Sequence, residues 1–280
     1  MSSHFDPVQY KLNSKANWNI VAFDYHNNWA DKHQGPFKST RELVNIASIK
    51  QHDKVLDLAC GTGAVSKEIV HYLDGDGFLI GVDLSRTALS IAKKSIQNPN
   101  VEFFEMDAEY LSFNTLFDKV LCQYGLMFFP NVEKVLKSIN KILKKDGRFV
   151  IAVHGLSEEV PYFSCIMNPV LKYIPDIRPE GTPTVHRFGD PNNLNNELTK
   201  ACFSDISIKK FNFCYEVDTF EEYWQDYMHS TANSIRPKIE SHGNDVVSQI
   251  KSEAMQNVSK YETNGRITFP WSVLIASALK

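Results

Sequence analysis

What the sequence lacks narrows its class before any motif is read. Its five cysteines, Cys60, Cys122, Cys165, Cys202 and Cys214, are odd in number, scattered and without paired spacing. That excludes a disulfide framework and a cysteine zinc site, and points to reduced thiols, no metal and a cytoplasmic setting. No apolar run is long enough to span a bilayer: Trp271 to Leu279, near the end, stops well short of about 20 residues. Met1-Ser-Ser-His-Phe-Asp-Pro7 has no apolar signal core, so a soluble cytoplasmic protein is expected. Basic charge is not in excess either. With 30 Lys and Arg against 33 Asp and Glu, the net charge of −3 argues against a nucleic-acid-binding surface. The one run of lysines, Lys134 to Lys145, alternates with Val135, Leu136, Ile139, Ile142 and Leu143 at helical spacing, which makes it a solvated helix face. No internal repeat or low-complexity stretch is present.

What is there is organised around Val55-Leu-Asp-Leu-Ala-Cys-Gly-Thr-Gly63. Val55, Leu56 and Leu58 read as a buried strand that stops at the glycines, and Ala64, Val65, Ile69 and Val70 resume at helical spacing. The result is a strand–turn–helix elbow. Glycine suits that turn because it tolerates positive φ and lets a ligand touch bare backbone. The expected helix from Gly63 to Leu73 would add free N–H groups and a positive dipole end.

A second apolar run, Phe78 to Val82, ends in Asp83, 20 positions after Gly63. An acidic residue at that distance meets the hydroxyls of a ribose. A third run, Val101 to Met106, leads to Asp107. Asp57, Asp83 and Asp107 are thus expected at the ends of three adjacent parallel strands. Asp residues near glycine usually cap turns, but three at matching strand ends form a pattern that capping does not explain. A dinucleotide loop would carry another glycine three places after Gly63, and Ser66 stands there.

Asp57-Leu-Ala-Cys-Gly-Thr-Gly63, Asp83-Leu84 and Asp107-Ala108 resemble the first three motifs of class I S-adenosylmethionine-dependent methyltransferases. Leu121-Cys-Gln-Tyr-Gly-Leu-Met-Phe-Phe-Pro130 and the run from Val135 to Val153 resemble the next ones. Among them it resembles small-molecule methyltransferases like those of ubiquinone and menaquinone biosynthesis. The resemblance implies that Asp57, Ala59, Cys60, Gly61, Thr62, Gly63, Asp83, Leu84, Asp107, Ala108 and Gln123 hold S-adenosylmethionine. Asp57 would meet the cofactor's ammonium group and Asp83 its ribose. Tyr25, in Trp18-Asn-Ile-Val-Ala-Phe-Asp-Tyr25, is either the tyrosine that closes over the cofactor or a core aromatic of an amphipathic helix. Gln123 and Tyr124 would lie beneath the methionine part and face the acceptor.

Strands alternating with helices predict a Rossmann-like α/β fold. The expectation is a seven-stranded, mostly parallel sheet with an antiparallel last strand, helices on both faces and helical lid insertions. A helix over 39–50 is expected to start with Ser39 as N-cap and Glu42 completing a capping box. Lys145-Asp-Gly147 is expected as a turn, and a long helical region from Thr219 to about Lys260. Residues 1–280 read as one domain, with a core at about 39–154, 192–217 and 263–280. Cover elements are expected at about 1–38, 155–191 and 218–262. Their aromatic and apolar content points to a small-molecule acceptor with an apolar or aromatic part. Tyr124, Arg187, Trp224 and Met228 are candidate acceptor contacts, and His154, Tyr124 and His229 are candidate catalytic groups. A lone histidine such as His154 is more often a hydrogen-bonded structural residue.

Methyl transfer needs orientation more than acid–base machinery, which fits the absence of a visible triad. None of the eleven tyrosines is followed four places later by lysine, the pair that short-chain dehydrogenases share. No Asn-Pro-Pro-aromatic run or Pro-Cys dipeptide occurs, so methylation of adenine or cytosine in nucleic acid is disfavoured. A non-catalytic cofactor-binding protein and a homodimer stay open.

Overall fold

Short apolar runs bounded by Gly, Asp and Asn turns become strands because both of their faces can be buried under helices. The computed structural model describes residues 5–280. Its strands are β1 Lys54–Leu58, β2 Phe78–Asp83, β3 Val101–Glu105, β4 Phe117–Gln123, β5 Leu143–His154, β6 Ser204–Val217, β7 Glu262–Thr263 and β8 Arg266–Leu279. They form one sheet in the order β3-β2-β1-β4-β5-β8-β6, with β7 paired to β8 alone. β1 to β5 are parallel, and β8 runs antiparallel to both β5 and β6. The expected Rossmann-like sheet with its antiparallel last strand is therefore present, and β7 adds a two-residue arm that folds back on β8.

The chain steps outward from β1 to β3 and then returns to place β4 on the other side of β1. The order reverses between β1 and β4, the point at whose carboxyl edge open α/β sheets place their ligands. Both flanking strands are rigid: Val55, Leu56, Val120, Leu121 and Cys122 are fully buried.

Around the sheet pack α1 Pro7–Tyr25, α2 Thr40–Ala47, α3 Ala64–Ile69, α4 Arg86–Ser95, α5 Val132–Ile142, α6 Pro161–Tyr173, α7 Pro191–Lys200, α8 Phe220–Asp226, α9 Arg236–Glu240 and α10 Asn244–Ser259. α1 starts cleanly because Asp6 accepts the N–H groups of Val8 and Gln9 and Pro7 fits the first turn. Residues 1–4 of the expected N-terminal cover lie outside the described residues. No helix among the described residues is long and apolar enough to cross a membrane.

Four local expectations are corrected. The elbow helix is only six residues long, so its dipole contributes little to the glycine loop. The Ser39 capping box does not form, because a 3-10 turn, Gly35–Ser39, already leads into α2 and Ser39 Oγ bonds to Pro36 O and Tyr124 Oη. Lys145-Asp-Gly147 is a bulge inside β5, with Phe117 paired to Leu143 and Lys119 to Arg148. The region after Thr219 does begin with a capping box to Glu222, yet it breaks into α8, a π-helical turn Tyr227–Thr231, α9 and α10.

Gly81 in β2 is fixed by packing. A Cβ there would come within 2.5 Å of the Phe103 ring and 3.1 Å of Cys60 Sγ. Gly81→Ala is expected to destabilise by about 1–3 kcal/mol through overpacking. Urea unfolding checks this: the midpoint should fall with the slope unchanged.

Candidate active site

The glycine loop is a chain of left-handed residues held from behind. Ala59, Gly61 and Gly63 have φ of 56°, 54° and 90°. Cys60 N–H donates to Val82 O at 3.0 Å and Gly63 N–H to Cys60 O at 2.9 Å. The two glycines do different jobs. A Cβ on Gly61 would meet nothing within 4 Å, so this backbone faces open space that a ligand can fill. A Cβ on Gly63 would press on Ile96 and Ala92 at 3.0 and 3.2 Å, so this glycine lets α4 pack closely. The loop also abuts the one after β4: a Cβ on Gly125 would lie 2.6 Å from Ala59 Cβ and 2.9 Å from Cys122 Sγ.

Asp57 on β1 is paired with Gly81 of β2, and Asp83 lies two residues further along β2 on the same face. Asp57 is 1% exposed; one oxygen takes the Ser66 hydroxyl at 2.6 Å, and Oδ1 has no partner. Burial pushes its carboxyl up to about 7, against the Ser66 bond and with help from the Asp83 charge. Asp83 accepts Gly61 N–H at 2.9 Å on Oδ2 and Ser85 N–H at 2.8 Å on Oδ1. Burial raises it as well, opposed by those backbone bonds. Each oxygen of Asp83 keeps a lone pair for a further donor. Leu84 is half-buried beside it, and Ala108, after β3, is buried.

Asp107 follows β3 and accepts Glu109 N–H and the Lys11 ammonium at 2.9 and 2.7 Å. Thr62 Oγ1 lies 3.0 Å from His26 Nδ1. Tyr25 ends α1 among Trp18, Trp29 and Phe37, with ring centroids 5.3, 5.9 and 5.6 Å away. Trp18 in turn reaches Phe128 in the loop after β4, at 6.4 Å. An aromatic wall therefore joins α1 to the loop after β4.

Gln123 and Tyr124 are buried and turned toward the start of α2. Gln123 donates to Ser39 Oγ and accepts from Thr40 Oγ1, both at 3.1 Å. Tyr124 has φ of 57°, donates to Pro36 O at 2.9 Å and stacks on His154 at 4.4 Å. His154 is 4% exposed, accepts Trp271 Nε1–H on Nδ1 at 3.3 Å and is held well below the ordinary histidine range by burial. It is a neutral imidazole behind Tyr124, with its proton on Nε2.

The remaining candidates are not gathered here. Arg187 is exposed and donates to Phe129 O, on the rim of a cleft of about 330 Å³ that Phe5, Pro130 and Glu197 also line. Trp224 and Met228 are buried in the α8 region, with Lys251 over the Trp224 ring. His229 is exposed and bonds to Gln225 O of its own helix. Sequence reading missed Asp226, which accepts Tyr162 Oη–H at 2.7 Å and Trp29 Nε1–H at 3.2 Å and so ties α8 to the π-helical turn His26–Ala30. Its only sequence signal is an acid between Trp224 and Tyr227 in an otherwise buried stretch.

The donor set fits S-adenosylmethionine. An orphaned buried carboxylate oxygen suits an ammonium group, Asp83 suits ribose hydroxyls, and Gly61 leaves room for both. Residues 49–203 match the family model described as methyltransferase domain. The chain is 31% identical over 152 residues to a ubiquinone/menaquinone biosynthesis C-methyltransferase of Wigglesworthia glossinidia brevipalpis, covering 52% of this chain and 56% of that one. It is 25% identical over 210 residues to a demethylmenaquinone methyltransferase of Staphylococcus saprophyticus, covering 69% and 84%. The fold matches the YcgJ protein of Bacillus subtilis with a TM-score of 0.58 at 20% identity, over 87% of this chain and 98% of that one. It also matches phosphoethanolamine N-methyltransferase 2 of Haemonchus contortus, solved with phosphomonomethylethanolamine and S-adenosylhomocysteine. There the TM-score is 0.59 at 15% identity, over 96% and 59%.

The raised Asp57 carboxyl has two consequences of opposite sign. The folded protein keeps a proton that the unfolded chain releases, so stability falls as pH rises from about 4 toward the folded value of about 7, then levels. Ionised Asp57 is the form that attracts an ammonium group, so cofactor affinity should climb up to about tenfold per pH unit below that value. Asp57→Asn should be more stable than the parent at pH 8 by urea unfolding. It should also bind the cofactor more weakly there, with a flat profile from pH 6 to pH 8 by calorimetry. A profile that keeps its slope in the variant would remove Asp57 from the site.

Proposed function

The chain belongs to the methyltransferase domain family, and on that premise we propose that it methylates a small molecule with an apolar or aromatic part. The cofactor is S-adenosylmethionine, which brings a sulfonium methyl group already primed to leave. One observation carries the reading: the unpaired Asp57 oxygen, the open face of Gly61 and the Asp83 carboxylate gather at the carboxyl ends of β1 and β2. In this reading Asp57 takes the ammonium group, Asp83 takes the ribose and Asp107 lies on the adenine side.

The acceptor reading is supported by the aromatic wall of Trp18, Tyr25 and Phe128 and by relatives named for quinone methylation. Such a wall excludes water and orients a flat apolar molecule against the methyl group. Tyr124, held by Pro36 and backed by neutral His154, gives the floor a fixed shape. We read residues 1–280 as one domain, with the segments around 1–38, 155–191 and 218–262 as its cover. The chain spans 56% of the first relative's length, so acceptor identity is a proposal about this chain alone.

A titration with S-adenosylmethionine and with NAD tests the cofactor: binding of the first and not the second is expected, and the reverse would defeat the reading. Transfer of labelled methyl to a panel of quinols, phenols and small polar amines tests the acceptor. Label should pass to the aromatic members. Binding without transfer to any member would reduce the protein to a cofactor-binding role.

A further inference from the structure

Helix α1 is fastened to each of the three loops that build the adenosine side of the crevice. Lys11 Nζ lies 2.7 Å from Asp107 Oδ2 and 3.1 Å from Glu109 Oε2, after β3. Lys15 pairs with Glu105, which also holds Arg86. Asn19 Oδ1 accepts Ser85 Oγ–H at 2.9 Å and Thr87 N–H at 3.1 Å, after β2. His26, just past the helix end, meets Thr62 in the loop after β1. Positions 11, 15, 19 and 26 fall on one side of a helix, so these bonds act together along its length. Apolar packing is shared out along the helix: Val21 and Ala22 are buried, Ala22 against Ala88 and Ile91, and Trp18 and Tyr25 meet Phe128, Trp29 and Phe37. Val8, Leu12, Ile20 and Phe23 are exposed. The N-terminal half of α1, with Val8 and Leu12 exposed, is thus held on this side by the bonds of Lys11 and Lys15.

Lys11 makes the most demanding of those bonds. Its side chain is 20% exposed, and those of Asp107 and Glu109 are 26% and 9% exposed, so water and salt screen the group only in part. Burial lowers its affinity for a proton, yet the bonds and charges of Asp107 and Glu109 outweigh that and hold the ammonium above the ordinary lysine range. Glu109 also accepts Asn131 N–H at the start of α5, so the clasp is anchored on both sides.

The geometry points to α1 as an ion-paired strap across the cofactor, with Lys11 its clasp and a positioning residue that acts through Asp107 and Glu109. This rests on the cofactor reading above. The cofactor enters and leaves when the Lys11 pairs break and the strap lifts. Asp107 Oδ2 keeps a lone pair beside the ammonium, so Lys11 stays in place once the strap is closed. Lys11 thus sets the rate of exchange more than the affinity.

The test follows exchange of tritiated S-adenosylhomocysteine by rapid filtration, in the full chain and its K11M and K11R forms, at low and at high sodium chloride. In the parent protein both association and dissociation should quicken as salt rises. K11M should raise both rates about tenfold at low salt, as loss of charged hydrogen bonds allows, and flatten the salt response. K11R should restore slow, salt-dependent exchange, and α1 amides should exchange hydrogen faster in K11M alone. If K11M leaves both rates unchanged, or raises dissociation alone, the strap is overturned and Lys11 is an ordinary contact. If the parent protein binds no S-adenosylhomocysteine at all, the cofactor reading fails instead.

Discussion

A carboxyl group with almost no access to water and one unpaired oxygen is a costly thing to build into a strand, and the site depends on it. Asp57 sits on β1 between fully buried neighbours, so neither rotation nor hydration can relieve it. Ser66 satisfies one oxygen from α3, while Asp83 crowds it from β2 and makes its charged form harder to hold. The backbone of the glycine loop drains charge from Asp83 and not from Asp57. The fold thus leaves one buried carboxylate oxygen without a partner, a place where a cation would be favoured.

The sheet was legible because its signals are strong and local. Apolar runs of five to seven residues, ending in glycine or acid, leave little choice but buried strands, and their alternation with helices imposes parallel order. The acids at the strand ends were legible for the same reason: Asp57, Asp83 and Asp107 are fixed by where strands stop. Boundaries were less so. The bulge at Lys145-Asp-Gly147 and the early end of α3 depend on register and packing, which single residues do not announce.

Side-chain partners across the chain were not legible at all. Ser39 reads as a helix cap but serves Tyr124, some 85 positions away, and the bonds of Gln123 to the start of α2 have no sequence signal. Lys11 and Asp226 belong to segments with no motif, and only the folded chain brings them to Asp107 and to Trp29. His229 and Arg187 attracted notice by chemical type, yet the helix and loop that carry them turn both outward.

The contact between Gly125 and Ala59 has a bearing on how this protein could change over time. The loop after β1 and the loop after β4 share a wall with no room for one methyl group. A longer or bulkier loop after β4 would push directly on the glycine turn after β1. Loop grafts between relatives should transfer both loops as a pair, since neither is an independent module.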